Sequence, residues 1–182
     1  MELVQPIRSK EKIQEIKDEL LKSGYRDYLL FVAGINTGLR ISDLLKLKVS
    51  DVRDKEHIVI REQKTDKTKR FLINGCFKKA IESYIKNMSD DSYLFTSRQG
   101  ENKHIDRTQA YRIINKACAT VGIQDSIGTH SFRKTFGYWH YQQFKDVAIL
   151  QDIFNHSAPS VTLRYIGITD DMKDKTMSEF EL

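Results

Sequence analysis

Proline and cysteine are both scarce in this chain, with two of each among 182 residues. With apolar residues at 40%, so little proline excludes a mostly disordered chain. Cys76 and Cys118 both fall in stretches of helical periodicity. They form neither a disulfide framework nor a cysteine-based metal site, which fits a reducing cytoplasm. No apolar run reaches the ~18 residues that a membrane span needs. The opening residues, Met1 to Pro6, lack the charged and apolar regions of a signal peptide. Internal repeats and low-complexity linkers are also absent.

What is present is enough for one compact domain over residues 1–182 with a sizeable core. Lys and Arg number 30 against 25 Asp and Glu, a net charge of +5 with a pI of about 9.1. That mild excess favours a polyanionic partner.

Periodicity predicts a mainly helical chain. Ser9 caps a helix with Ile13, Ile16, Leu20 and Leu21 on one face, ended by Gly24. A second helix, from about Tyr25 to Asn36, is apolar nearly all round and so buried, with Gly38 as its left-handed C-terminal residue. A short third helix holds Ile41, Leu44, Leu45 and Leu47. The period then changes. His57–Arg61 and Arg70–Ile73 read as strands of a hairpin whose polar tip runs from Glu62 to Lys69. Helical spacing returns from about Cys76 to Met88, and again after Asp106 as far as Gly122. Tyr93–Phe95 is a short extended piece. Thr129 is expected to cap a helix carrying Phe132, Phe136 and Trp139. Asp146 caps another, and a short one from about Ser160 presents Tyr165. The fold class is α+β, mainly α with a small antiparallel sheet.

The stretch from Thr129 to Tyr165 concentrates the chemistry: two imidazoles, a guanidinium and a phenol at separations set by short helices. Arg binds phosphate oxygens through a planar fork. His exchanges a proton near neutral pH. Tyr becomes a covalent nucleophile once its proton is removed. Together they suit attack on a phosphodiester without a metal.

His130-x-x-Arg133, followed by His156 and Tyr165, resembles the tyrosine recombinase (phage integrase) family. The run Thr37-Gly38-Leu39-Arg40-Ile41-Ser42-Asp43 looks like that family's first arginine motif, and Lys64 stands where the family keeps its hairpin lysine. His-x-x-Arg alone is a weak signal; the full order of Arg, Lys, His-x-x-Arg, His and Tyr is a strong one. The motifs run from Arg40 to Tyr165, nearly the whole chain.

The resemblance implies the catalytic-domain fold of that family and a set of roles. Arg40 and Arg133 would clamp the phosphate, Arg133 sharing a helix face with His130. Asp43 would orient the first arginine or a histidine. Lys64 would protonate the departing 5′ oxygen, with Lys67 and Lys69 as nearby competitors. His130 would accept the proton of Tyr165 or donate to the phosphate, and His156 would donate to a non-bridging oxygen. Tyr165 would be the nucleophile, with Tyr138 and Tyr141 its rivals. Taken singly, each Arg reads equally as the partner of a surface carboxylate, and His57, His104 and His140 read as partly buried polar residues. Many relatives have Gly before the second histidine, where this chain has Asn155. A positive φ at a helix end explains both choices. Lys134 departs from the Leu or Arg more usual in the family.

The implied activity is site-specific recombination through a 3′-phosphotyrosyl bond, with no cofactor, metal or ATP. The implied partner is double-stranded DNA, with four protomers on two duplexes. Arg107, Thr108 and Arg112, at the start of the Asp106 helix, would reach a groove or else form a solvated face. The tail from Ile168 to Leu182, with Met172, Met177 and Phe180, would dock in cis or onto a neighbour. The family's separate N-terminal DNA-binding domain is expected to be missing from these residues. Two alternatives are a type IB topoisomerase-like activity, resealing the same strand, and a DNA-binding module without chemistry.

Overall fold

The computed structural model describes residues 4–61, 68–168, 174 and 176–181. Its first helix, α1 (Lys10–Ser23), starts where Ser9 Oγ accepts from the Lys12 amide and stops at Gly24, φ 140°. Helix α2 (Tyr25–Thr37) is the axis of the core. Leu29, Leu30, Phe31, Val32 and Ala33 are all buried, and α1, α4 (Gly75–Ile85) and α6 (Thr129–Phe144) pack around them. A helix this apolar on every side has no face left for water. Gly38 follows with φ 65°, and a Cβ there would lie 2.5 Å from a ring carbon of Phe136. Conformation and close approach thus both call for glycine. The chain turns there into the short α3 (Ile41–Leu45).

Strands β1 (His57–Arg61) and β2 (Thr68–Leu72) pair antiparallel, His57 opposite Leu72 and Arg61 opposite Thr68. β2 begins two residues earlier than the apolar pattern predicts, because backbone pairing extends past the last apolar side chain into Thr68 and Lys69. Residues 62–67, the hairpin tip, lie outside the described residues. Tyr93 and Thr96 make only isolated bridges, to Lys48 and His104. Helix α5 (Arg107–Thr120) is capped by Asp106, as expected. Thr129 is not the cap of α6. It is the first helical residue; Gly128 is the cap, and its amide donates to Ser131 Oγ at 3.1 Å. A serine at the third helical position thus satisfies the cap's own amide, the reciprocal half of a capping box.

Helices α7 (Val147–Phe154) and α8 (Pro159–Tyr165) pack on the far end of α6 through a second apolar cluster of Leu150, Phe154 and Ile166. Gly137 makes that contact: a Cβ would sit 2.6 Å from Ile166 Cγ2 and 2.8 Å from the Phe154 ring. The N-terminal segment straps onto α6. The Ile7 amide donates to Thr135 Oγ1 at 2.9 Å, and Trp139 Nε1 donates to the Ile7 carbonyl at 3.0 Å. Met177 and Phe180, in the tail, are 72% and 64% exposed. Met172 lies outside the described residues.

Candidate active site

Arg133 is buried at 6% exposure, in the second turn of α6. Its Nη1 donates to the Gly38 carbonyl at 2.5 Å and its Nη2 to the Phe154 carbonyl at 3.0 Å. Its Cζ stands 4.2 Å above the Phe154 ring. Both carbonyls lie at helix C-termini, α2 and α7, where acceptors are left over and the helix dipole favours a cation. Each helix ends at a left-handed residue, Gly38 (φ 65°) or Asn155 (φ 54°), so the sequence reading of Asn155 as a conformational residue agrees with its backbone. Arg40 comes two residues after Gly38, and His156 two after Phe154. One guanidinium therefore sets the relative position of both corners.

Arg40 is exposed and serves as the N-cap of α3, with φ −66° and ψ 142°. Its charge reaches Tyr165 and His156 and favours the deprotonated form of each, against the larger effect of burial at Tyr165. Asp43 sits in the first turn of α3, half-buried, its amide bonded to the Arg40 carbonyl at 2.9 Å. Among the described residues its carboxylate forms no ion pair with Arg40 or either histidine.

His156 Nδ1 is 3.0 Å from Oγ1 of the fully buried Thr162, which fixes the ring. Burial, then Arg133 and Arg40, hold its pKa below the usual histidine value. The Tyr165 ring stands edge-on to His156 and Phe154, with centroids 5.1 and 5.5 Å away. Burial raises the phenol pKa; Arg133, Arg40 and a hydrogen bond from Arg133 oppose the rise without cancelling it. Tyr138 lies beneath Arg8; Tyr141 lies beneath Lys145 and packs at the edge of the Phe154 cluster.

His130 Nε2 lies 3.1 Å from Arg107 Nη2. A guanidinium only donates, so Nε2 carries its lone pair. Burial, then Arg107, Lys134 and Arg133, push this histidine's pKa down. Arg107 is thus engaged with a site histidine, while Thr108 and Arg112 are exposed on another side of α5. Lys64 and its competitor Lys67 lie outside the described residues; the other competitor, Lys69, donates to the Asp152 carbonyl at 2.7 Å. His57, His104 and His140 are half-buried, as read.

Sequence reasoning missed Thr162, the anchor of His156, and the Arg107–His130 contact. Thr162 precedes Tyr165 by three residues, so helical spacing could have placed both on one face. No sequence signal marks the second. Among the described residues no three His, Cys, Asp or Glu side chains gather as a metal site, and no helix is long and apolar enough to cross a membrane.

The profile of the phage integrase family matches residues 8–172. Over 171 residues the chain is 53% identical to the probable integrase/recombinase YoeC of Bacillus subtilis (strain 168), covering 94% of this chain and 93% of YoeC. It is 27% identical over 164 residues to the tyrosine recombinase XerA of Pyrococcus furiosus, covering 88% of this chain but 57% of XerA. The chain thus spans little more than half the length of that relative. Among solved structures, XerA recombinase superposes with a TM-score of 0.77 at 24% identity, over 96% of this chain and 65% of that one. The XerH site-specific recombinase bound to difH, a pre-cleavage complex, gives 0.73 at 18%, over 100% and 56%. These two likenesses are of fold.

Proposed function

The chain belongs to the phage integrase family of tyrosine recombinases, and on that premise we propose that it cuts and rejoins DNA strands through a 3′-phosphotyrosyl intermediate. The observation that carries the reading is the bracing of Arg133 between the Gly38 and Phe154 carbonyls, beside the Tyr165 and His156 rings. Cutting a phosphodiester at a useful rate means removing roughly 20 kcal/mol of barrier. Fixed cations in a partly desolvated site are the means at hand.

Arg40, Arg133 and His156 hold the non-bridging oxygens of the scissile phosphate. Tyr165 Oη attacks phosphorus in line, and the bond to the 5′ oxygen breaks. Burial outweighs the arginines at Tyr165, so the phenol keeps its proton and a base must take it during attack. His130, unprotonated at Nε2 and with a lowered pKa, is that base once Nε2 exchanges its hydrogen bond from Arg107 for the phenol. Lys64 protonates the departing 5′ oxygen, and Asp43 steadies the Arg40 corner. A second strand's 5′ hydroxyl then attacks the phosphotyrosine and releases Tyr165. The ester conserves the bond energy, so the cycle needs neither ATP nor a metal.

The partner in this reading is double-stranded DNA, held mainly through phosphates, with Thr108 and Arg112 toward a groove. Four protomers act together in the cytoplasm. The exposed Met177 and Phe180 give the tail apolar surface that a neighbouring protomer would cover.

The test is covalent trapping on a pool of nicked duplexes randomised about the nick. Wild type should yield a protein–DNA adduct that survives denaturation and is destroyed by protease, and Tyr165→Phe should yield none. Equal yields from the two would leave a DNA-binding module. Relaxation of a supercoiled plasmid without strand exchange would favour the topoisomerase reading.

A further inference from the structure

One cation beside the site has no part in the scheme above. Lys134 follows Arg133 on α6 and is only 7% exposed. Successive helical residues project about 100° apart, so the two side chains leave the helix in different directions. Arg133 goes to the carbonyls, and Lys134 goes to the nucleophile, its Nζ 5.3 Å from the centroid of the Tyr165 ring. That is within cation–π range. Among the described residues no carboxylate pairs with Lys134, and the charge that bears on it is another cation, Arg8 on the N-terminal strap.

An ammonium in such a place opposes folding. Burial and Arg8 both disfavour its charged form. A methionine would fill much the same volume with no such penalty. The feature that sets the position apart is the ring it covers. We propose that Lys134 is a positioning residue for the strand-cutting step, its ammonium holding the Tyr165 ring in its attacking orientation and favouring the phenolate as it forms. His156 and Phe154 already confine the ring at angles of 71° and 74°. Lys134 supplies the third constraint, the one that strengthens as the ring gains negative charge.

The proposal rests on Tyr165 being the nucleophile, and the experiment separates the two. From the randomised pool, the duplex that wild type traps best is used for single-turnover adduct formation by wild type, Tyr165→Phe, Lys134→Met and Lys134→Arg. The rate at saturating DNA should fall about tenfold to thirtyfold in Lys134→Met. Half-saturating DNA should stay unchanged, and the melting temperature should hold or rise. Lys134→Arg should recover most of the rate. An adduct from Tyr165→Phe, or none from wild type, overturns the nucleophile and this proposal together. A full rate in Lys134→Met overturns the proposal alone. So does a loss confined to half-saturating DNA, which would make Lys134 a phosphate ligand. A rate that falls along with the melting temperature and is not recovered by arginine makes it structural, and overturns the proposal too.

Discussion

Replacing Arg133 by alanine should cost folding stability as well as activity, and the structure sets the size of the effect. The guanidinium donates to two carbonyls, and the residue is 6% exposed. Its removal leaves the Gly38 and Phe154 acceptors without that donor, at about 1–3 kcal/mol each. It also strips the cation from above the Phe154 ring, about 1 kcal/mol more. Relief from burying a charge offsets part of this, and only part, because guanidinium is weakly hydrated. The net loss should be about 2–5 kcal/mol. For a chain of this size that lowers the melting temperature by roughly 4–20 °C. Urea denaturation of wild type, Arg133→Ala and Arg133→Lys would measure it, with the lysine variant intermediate because one ammonium cannot span both carbonyls. A loss under about 1 kcal/mol in Arg133→Ala would refute the bracing role, whatever happened to activity.

Acid should destabilise the fold before carboxylates titrate. His130, His140 and His156 all have pKa values lowered in the folded state. The unfolded chain therefore takes up protons that the folded one refuses. Stability should be full above about pH 6.5 and be lost as pH falls from there through the lowered folded values; denaturant midpoints at pH 7.5 and 5.5 check this. His140→Phe should stabilise by about 1 kcal/mol, because among the described residues the buried His140 Nδ1 has no hydrogen-bond partner and the ring lies among Phe136 and Phe144; thermal melts would show it. Gly137→Ala should cost about 1–3 kcal/mol through collision with Ile166 and Phe154. By displacing α8 it should also slow covalent trapping; normal stability together with a normal trapping rate would contradict the packing described.

Much of this was legible in the chain because it depends on local chemistry. Ser9, Asp106 and Asp146 cap helices through their own oxygens, and Gly38 and Asn155 hold left-handed positions that few other residues tolerate. The ordered motif residues Arg40, Arg133, His156 and Tyr165 stand together at the ends of α2, α6, α7 and α8. What escaped sequence reading depends on neighbours far along the chain. The Arg133–Gly38 bond joins residues 95 positions apart. Nothing near Lys134 in the sequence says that Tyr165 will lie under its ammonium. The cap of α6 was misplaced for a smaller reason: Thr129 is a good capping residue, but Ser131 serves Gly128 instead.

The dual attachment of Arg133 bears on how this domain could decay. A descendant that no longer cut DNA would still need that guanidinium to keep two helix ends in register, whereas the Tyr165 hydroxyl meets the guanidinium but braces no helix end. Degenerate copies should therefore lose the phenol early and retain the arginine long afterwards. Among such copies, the tyrosine and not the arginine would tell the living enzyme from its relic.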